Sequence, residues 1–297
     1  MEYCGDCQGA PNTGVAQCAS VIKKTVGLFM MRRIASDGTV NKIDLSTSSL
    51  IDLDTYLNNA DPSKRWYPIM DLKNVALPKS ATKYKTYNDD SKDKTASGIY
   101  SFSGILSSGQ PAGLVYNLEK AGCSDMAIFG VTISGSVYGE LIGTDLYPIA
   151  INAFDPAGTF ATDENNAEIM VAFDLDNEFQ YGRLRQMQVT NFTFSPILSK
   201  GLKNANINYV SAGTTDSVIK ITNDYGAGFY DQNVHGLVIA DFLLENAGVP
   251  VTITSVVEDP NVSYTLSYAA QTVADTLDLS IVINAKKYEG TASKVVA

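Results

Sequence analysis

The chain has 297 residues, 45% of them apolar, which is enough to build one large or two ordinary globular domains and excludes wholesale disorder. Only 18% are charged, with 22 Lys and Arg against 32 Asp and Glu, a formal net charge of −10 and a pI near 4.6. So acidic a chain repels nucleic acid unless it carries a local basic face, and the basic residues here cluster no further than pairs such as Lys23-Lys24 and Arg32-Arg33.

Residues 1–20 are rich in Gly, Cys, Gln and Asn and read as an irregular arm. Met1-Glu2-Tyr3-Cys4 lacks the basic start and apolar core of a secretory signal, and no apolar run approaches the roughly 18–20 residues of a bilayer span; the expectation is a chain made in a cytosol. A strand is predicted over 25–34, with Val26, Leu28, Met30 and Arg32 on one face, followed by a tight turn at Asp37-Gly38. Residues 50–57 form a short helix or an irregular loop, and Asp61-Pro62-Ser63 punctuates the chain before Arg65-Trp66-Tyr67-Pro68. The polar stretch 79–97, centred on Asn88-Asp89-Asp90-Ser91-Lys92-Asp93-Lys94, is expected to be a hairpin tip or a mobile loop.

One helix is predicted over 111–121, where Pro111 suits the first turn, Leu114, Val115 and Leu118 share a side, and Gly122 is a stop. Strands return at 126–133 and 138–142 around a Gly135-Ser136 turn, then at 149–154 and 169–173, separated by a polar loop over 155–168. Residues 201–208 show little hydrophobic periodicity and read as a domain boundary. Beyond them come strands at 218–222, 234–244 and 251–254. Val262, Tyr264, Leu266 and Tyr268 then alternate with polar residues, as do Leu277, Leu279, Ile281 and Ile283. Alternation with period two and one greasy face is what a half-buried antiparallel strand requires. Glu258-Asp259-Pro260-Asn261 and Ala274-Asp275 suit the tight connections.

Candidate chemistry is sparse. Cys4-Gly5-Asp6-Cys7 with Cys18 is the sharpest motif, since Cys-x-x-Cys holds zinc or acts as a redox dithiol. Zinc wants four ligands, Cys18 supplies only a third, and Cys123 and His235 lie far along the chain. The redox reading needs a strand before the pair and a helix after it. Structural or free thiols remain the plainer reading. His235 is the only histidine, so any Ser-His-Asp or Cys-His mechanism hangs on one residue. Carboxylates cluster at Asp52 and Asp54, at Asp163-Glu164 with Glu168, and at Asp174, Asp176 and Glu178. The last group starts somewhat like a calcium loop but has Phe179 where that loop requires glycine. Asp89, Ser91 and Asp93 fail in the same way at Lys94. A solvated acidic surface or lumen is the plain reading of these clusters. The 16 tyrosines suit a carbohydrate or partner surface, or simply strands. No nucleotide-binding or hydrolase motif is present, and no catalytic, cofactor or metal residue is assigned.

Taken together, the irregular arm, Val26-Gly27-Leu28-Phe29, the long loop through Arg65-Trp66-Tyr67-Pro68, the helix over 111–121, and the pair Met126-Ala127-Ile128-Phe129 and Gly135-Ser136-Val137-Tyr138-Gly139 resemble the tail tube proteins of tailed bacteriophages over roughly 20–200. Tyr264-Thr265-Leu266-Ser267-Tyr268 and Leu279-Ser280-Ile281-Val282-Ile283 resemble the immunoglobulin-like modules appended to phage virion proteins, without the Cys-Trp-Cys hallmark of antibody domains. The resemblance implies a mainly β chain with an arm over 1–20, a tail-tube-like β-sandwich or barrel domain with one helix over 21–200, and a smaller immunoglobulin-like sandwich over 205–290. It further implies a non-enzymatic virion subunit, made in the host cytoplasm, that needs no cofactor and touches no membrane. Its partners are copies of itself in stacked, hexameric rings and other phage tail proteins, with DNA an unbound passenger in an acidic lumen. The alternatives are a decoration, baseplate or adhesin protein that binds host glycan or another virion protein, and a glycan hydrolase, which needs two carboxylates in one cleft.

Overall fold

Runs of alternating or continuous apolar residues short enough for strands dominate the chain, and the computed structural model is accordingly mainly β. It describes residues 22–45, 53–106, 113–122, 125–164, 166–187, 201–223, 232–259, 263–283 and 287–297. Two compact units emerge: Met1–Gly109 with Glu119–Ser199, and Lys200–Ala297 with Gln110–Leu118. The expectation of a mainly β chain of sandwich and barrel type is met.

The first unit runs through β1 (Thr25–Arg32), β2 (Ile43–Asp44), α1 (Leu53–Leu57), β3 (Tyr67–Ile69), β4 (Leu72–Ala76), β5 (Lys83–Thr86), β6 (Lys92–Ala96) and β7 (Ser101–Leu106). After α2 (Gly113–Gly122), which straddles the division between the units, come β8 (Met126–Thr132), β9 (Val137–Ile142), β10 (Asp145–Tyr147), β11 (Ile149–Thr159), β12 (Glu168–Leu175) and β13 (Leu184–Met187). One continuous ladder links most of these strands. β3 pairs with β1, β1 with β8, β8 with β11, β11 with β12, β12 with β7 and β7 with β4. Only Met70 and Asp71 separate β4 from β3, and Asp71 turns the chain with a φ of 59°. Among the described residues β4 has no hydrogen-bonded neighbour other than β7, so this path stays open at its β4 end. Off it branches β9, edged by β8 and β10 on one side and by β13 on the other. Phe29, Met31, Trp66, Phe129, Val131, Val137 and Leu146 form one core, with Leu53 and Leu57 of α1 packed into it. Trp66 stacks on Tyr56 with ring centroids 4.3 Å apart and tilts against Phe29 and Phe129 at 5.5 and 4.9 Å.

The second unit holds β14 (Lys203–Ala212), β15 (Asp216–Asn223), β16 (Gln232–Asn233), β17 (Phe242–Asn246), β18 (Val249–Val251), β19 (Ile253–Glu258), β20 (Tyr264–Tyr268), β21 (Thr276–Ile281), β22 (Tyr288–Glu289) and β23 (Thr291–Val295). One sheet reads β19-β20-β15-β14 with β22 at its edge, the other β18-β17-β21-β23. Ile207, Ile219, Ile221, Tyr264 and Leu266 of the first sheet share one core with Phe242, Leu244, Leu277, Leu279 and Ile281 of the second. With β14 lettered A, β15 B, β17 C, β18 C′, β19 D, β20 E, β21 F and β23 G, the sheets are ABED and C′CFG, the strand order of an immunoglobulin sandwich. Tyr264 and Tyr268 put their rings in the core and direct their hydroxyls to backbone: Tyr264 donates to Val234 O at 2.7 Å and Tyr268 to Gly213 O at 2.7 Å.

Several local expectations are corrected. β1 is buried on both faces from Gly27 to Met31, not on one, while Arg32 is exposed. The polar loop expected over 155–168 is shorter, since β11 continues to Thr159 past a register shift between Asn152 and Asp155 at which Ala153 adopts a φ of 47°. A bulge hides a strand from a period-two search because it flips the alternation. Residues 201–208 are not featureless: β14 buries Ala205 and Ile207 and exposes Asn204, Asn206 and Asn208, an alternation that is faint in sequence because alanine and asparagine are both poor strand formers. The strand expected over 234–244 is instead an irregular segment with a φ of +74° at Gly236, a 3-10 turn at Ile239–Asp241 and then β17. The strand at 251–254 is split at Thr252 between β18 and β19. Val296 is 2% exposed in the core and β23 pairs with β21, so the sandwich runs on beyond residue 290.

Candidate functional site

The stretch over 79–97 is a β5–β6 hairpin with a register shift between Lys83 and Tyr84. At its tip Tyr87 N–H donates to Ser91 O and Asp90 N–H to Tyr87 O, while Asp89 Oδ1 accepts the N–H and hydroxyl of Ser91 at 3.1 and 2.6 Å. At its foot Ser80 N–H donates to Ile99 O, and Ile99 N–H to Ser80 Oγ. A side chain at Gly98 would stand 1.8 Å from Ser80 O, so only glycine fits there. All nine strand residues are exposed, and β5 and β6 form a two-stranded sheet of their own. An isolated hairpin is marginal in water, and among the described residues the strands of this one have no packing partner to hold them. Residues 79–98 carry five lysines against three aspartates, a formal +2 in a chain of −10. The register divides these charges. Tyr84 faces Lys94 and Thr86 faces Lys92, whereas Lys85 faces Asp93. Directly opposed residues share a face, so one face carries Lys92, Lys94 and Tyr84 with no acid among them.

A second surface of the first unit gathers where the chain leaves β12. Tyr100 meets Phe179 edge-on at 5.3 Å and stacks on Tyr181 at 6.3 Å, and Tyr181 is 63% exposed. Lys79 Nζ lies 5.1 Å over the Tyr100 ring, a cation–π contact. Beside these rings Asp176 Oδ1 accepts Glu178 N–H at 2.8 Å and Asp176 Oδ2 accepts the Asn152 amide at 3.1 Å. Asp174 Oδ1 accepts the Ser101 hydroxyl at 2.6 Å. Glu140, half-buried on β9, accepts Gln180 N–H at 3.1 Å. Burial, with Asp176 adding to it, pushes the Glu140 carboxyl above its ordinary range, while that hydrogen bond and Arg183 pull the other way.

The residues singled out from sequence fare differently. Cys4, Cys7, Cys18, Cys123 and Asp52 lie outside the described residues. Asp163, Glu164 and Glu168 are exposed around the β11–β12 turn. Asp174, Asp176 and Glu178 are neighbours, but the first two carboxylates are committed to Ser101, Asn152 and a turn, and no group of three or more His, Cys, Asp or Glu converges among the described residues. His235 is exposed in the second unit, its Nδ1 2.7 Å from Glu258 Oε1, while Glu258 Oε2 accepts Gly236 N–H at 2.9 Å. These two bonds hold the Glu258 carboxyl below its usual range. Among the described residues no helix is long and apolar enough to cross a membrane. Tyr100, Tyr181 and Glu140 carry no sequence signal of their own, and Phe179 stands out in the sequence only as the residue that spoils a calcium loop.

No protein-family model matches the chain, and no curated protein matches it either.

Proposed function

We propose that the protein is a structural subunit that polymerises through its first unit, as a tail tube subunit of a tailed bacteriophage does, into stacked rings that enclose a passage for DNA. The observation that carries this reading is the β5–β6 hairpin: an exposed, basic projection whose strands have no packing partner among the described residues, on an otherwise acidic protein. Such an element gains a partner when copies meet, and loops of this length in compact domains serve a function or stay disordered. A net charge of −10 suits a wall past which DNA slides without sticking. In this scheme the immunoglobulin-type sandwich is an appended module, dispensable for assembly.

Negative-stain electron microscopy of the purified protein tests the reading. Rings or tubes are expected, together with no DNA retardation in a gel-shift assay at physiological salt. A monodisperse monomer at every concentration overturns it. The rival reading, a decoration, baseplate or adhesin protein, draws on the exposed aromatic group around Tyr181; it predicts a monomer or trimer that binds a neutral glycan and loses that binding in Tyr181→Ala.

A further inference from the structure

Resting on the self-assembly reading, we infer that the basic face of the β5–β6 hairpin of one copy docks on the acid–aromatic surface of a second copy, around Tyr100, Tyr181, Asp176 and Glu178. The two surfaces are complementary in charge. Lys92 and Lys94 share a face with Tyr84 and with no carboxylate, and the receiving surface carries carboxylates beside aromatic rings. It also holds one ammonium already, for Lys79 Nζ sits over Tyr100. That contact shows in place one part of the chemistry a lysine of the second copy would use, a ring face below the ammonium, and Asp176 and Glu178 stand on the same surface to supply the charge. The surfaces are distinct on one copy. Lys79 and Tyr100 pair at the foot of the hairpin, while Lys94 and Lys92 lie four and six residues up the strand from Gly98, roughly 13–20 Å at the rise of an extended chain. A contact between two different surfaces is heterologous and propagates, into rings where the rotation closes and into filaments where it does not.

Charge reversal with complementation tests the pairing. One variant carries Lys92→Glu and Lys94→Glu, the other Asn177→Lys and Glu178→Lys; all four positions are exposed, so both chains are expected to fold like the wild type, as checked by circular dichroism. Sedimentation and microscopy should show each variant alone needing roughly tenfold or more protein to assemble. An equimolar mixture should assemble again, because each variant's hairpin then meets a face of opposite charge on the other. Salt screens both this attraction and the like-charge repulsion between acidic copies, so variants, mixture and wild type are compared at one fixed ionic strength. Variants that assemble as readily as the wild type, or a mixture that stays dispersed, would overturn the docking while leaving self-assembly standing. A wild-type chain that never assembles overturns both.

Discussion

The Tyr138 ring crosses the backbone of Gly130, its neighbour on the adjacent strand, and delivers its hydroxyl to Thr25 one strand further on, at 2.8 Å. A Cβ at Gly130 would stand 2.0 Å from Tyr138 Cζ, so the bridge from β9 over β8 to β1 exists only because Gly130 has no side chain. Burial and the loss of hydration push the Tyr138 hydroxyl above its ordinary pKa, which keeps it protonated at any physiological pH. Gly130→Ala is expected to displace the ring and destabilise the first unit by about 2–3 kcal/mol, a fall of roughly 4–10 °C in its thermal midpoint. Gly38→Ala is the control. Gly38 has a φ of +82° but open space around its missing Cβ, so only backbone strain of about 1 kcal/mol applies. Equal losses in the two variants would show that the ring is not seated as described.

Trp66 is the anchor of the long connection between β1 and β3. It is 2% exposed and touches Tyr56, Phe29 and Phe129. Trp66→Ala should cost about 3–5 kcal/mol, whereas Tyr67→Ala, at an exposed neighbour, should cost well under half of that. Chemical denaturation monitored by near-ultraviolet circular dichroism checks both.

Two glutamates are predicted to respond to pH in opposite senses. Glu140 has a folded pKa above its unfolded value, so its contribution favours the folded state at low pH and is lost as pH rises through the folded value. Glu140→Gln keeps the acceptor for Gln180 N–H and should raise the melting temperature at pH 7, with the gain vanishing in acid, where the wild-type carboxyl is protonated. Glu258 has a depressed folded pKa, so its contribution is present above the usual carboxylate range and is lost as pH falls through the lowered value. Glu258→Gln should therefore melt lower than the wild type at pH 7 and converge with it in acid. Melting curves from pH 3 to pH 8 separate the two; curves parallel at every pH would refute both assignments.

The end of the chain should be indispensable to the sandwich. β23 pairs with β21 along five residues and Val296 fills the core, while β22 pairs in parallel with Lys203 and Asn204. A fragment of residues 201–297 is expected to fold alone with cooperative melting, and a fragment of 205–290 to be insoluble or molten. A soluble, cooperatively melting 205–290 fragment would show that these outer strands add little.

How much of this is legible in the residues follows from the physics of strand patterning. Alternation at Tyr264, Leu266 and Tyr268, and at Leu277, Leu279 and Ile281, by itself determines strand type and inner face, because the two faces of a half-buried sheet differ in polarity. The turn at Asp37-Gly38, the helix near 113–122 and the hairpin at 79–97 are equally local, each set by glycine, proline or a short polar run. What escapes the sequence is decided between distant segments. β1 reads as one-sided only when alternation alone is counted, for its unbroken apolar run from Val26 to Met31 is compatible with cover on both faces, and the pairing and packing decide it. β11 reads as too short because Ala153 turns the strand by a bulge that alternation does not encode. Gly130 is unremarkable in sequence, and only the pairing with Tyr138 makes its missing side chain a requirement. The acid–aromatic surface is of the same kind. Tyr100, Glu140 and the Asp176–Tyr181 stretch are far apart in the chain, and it is the pairing of β12 with β7 and of β13 with β9 that brings them together.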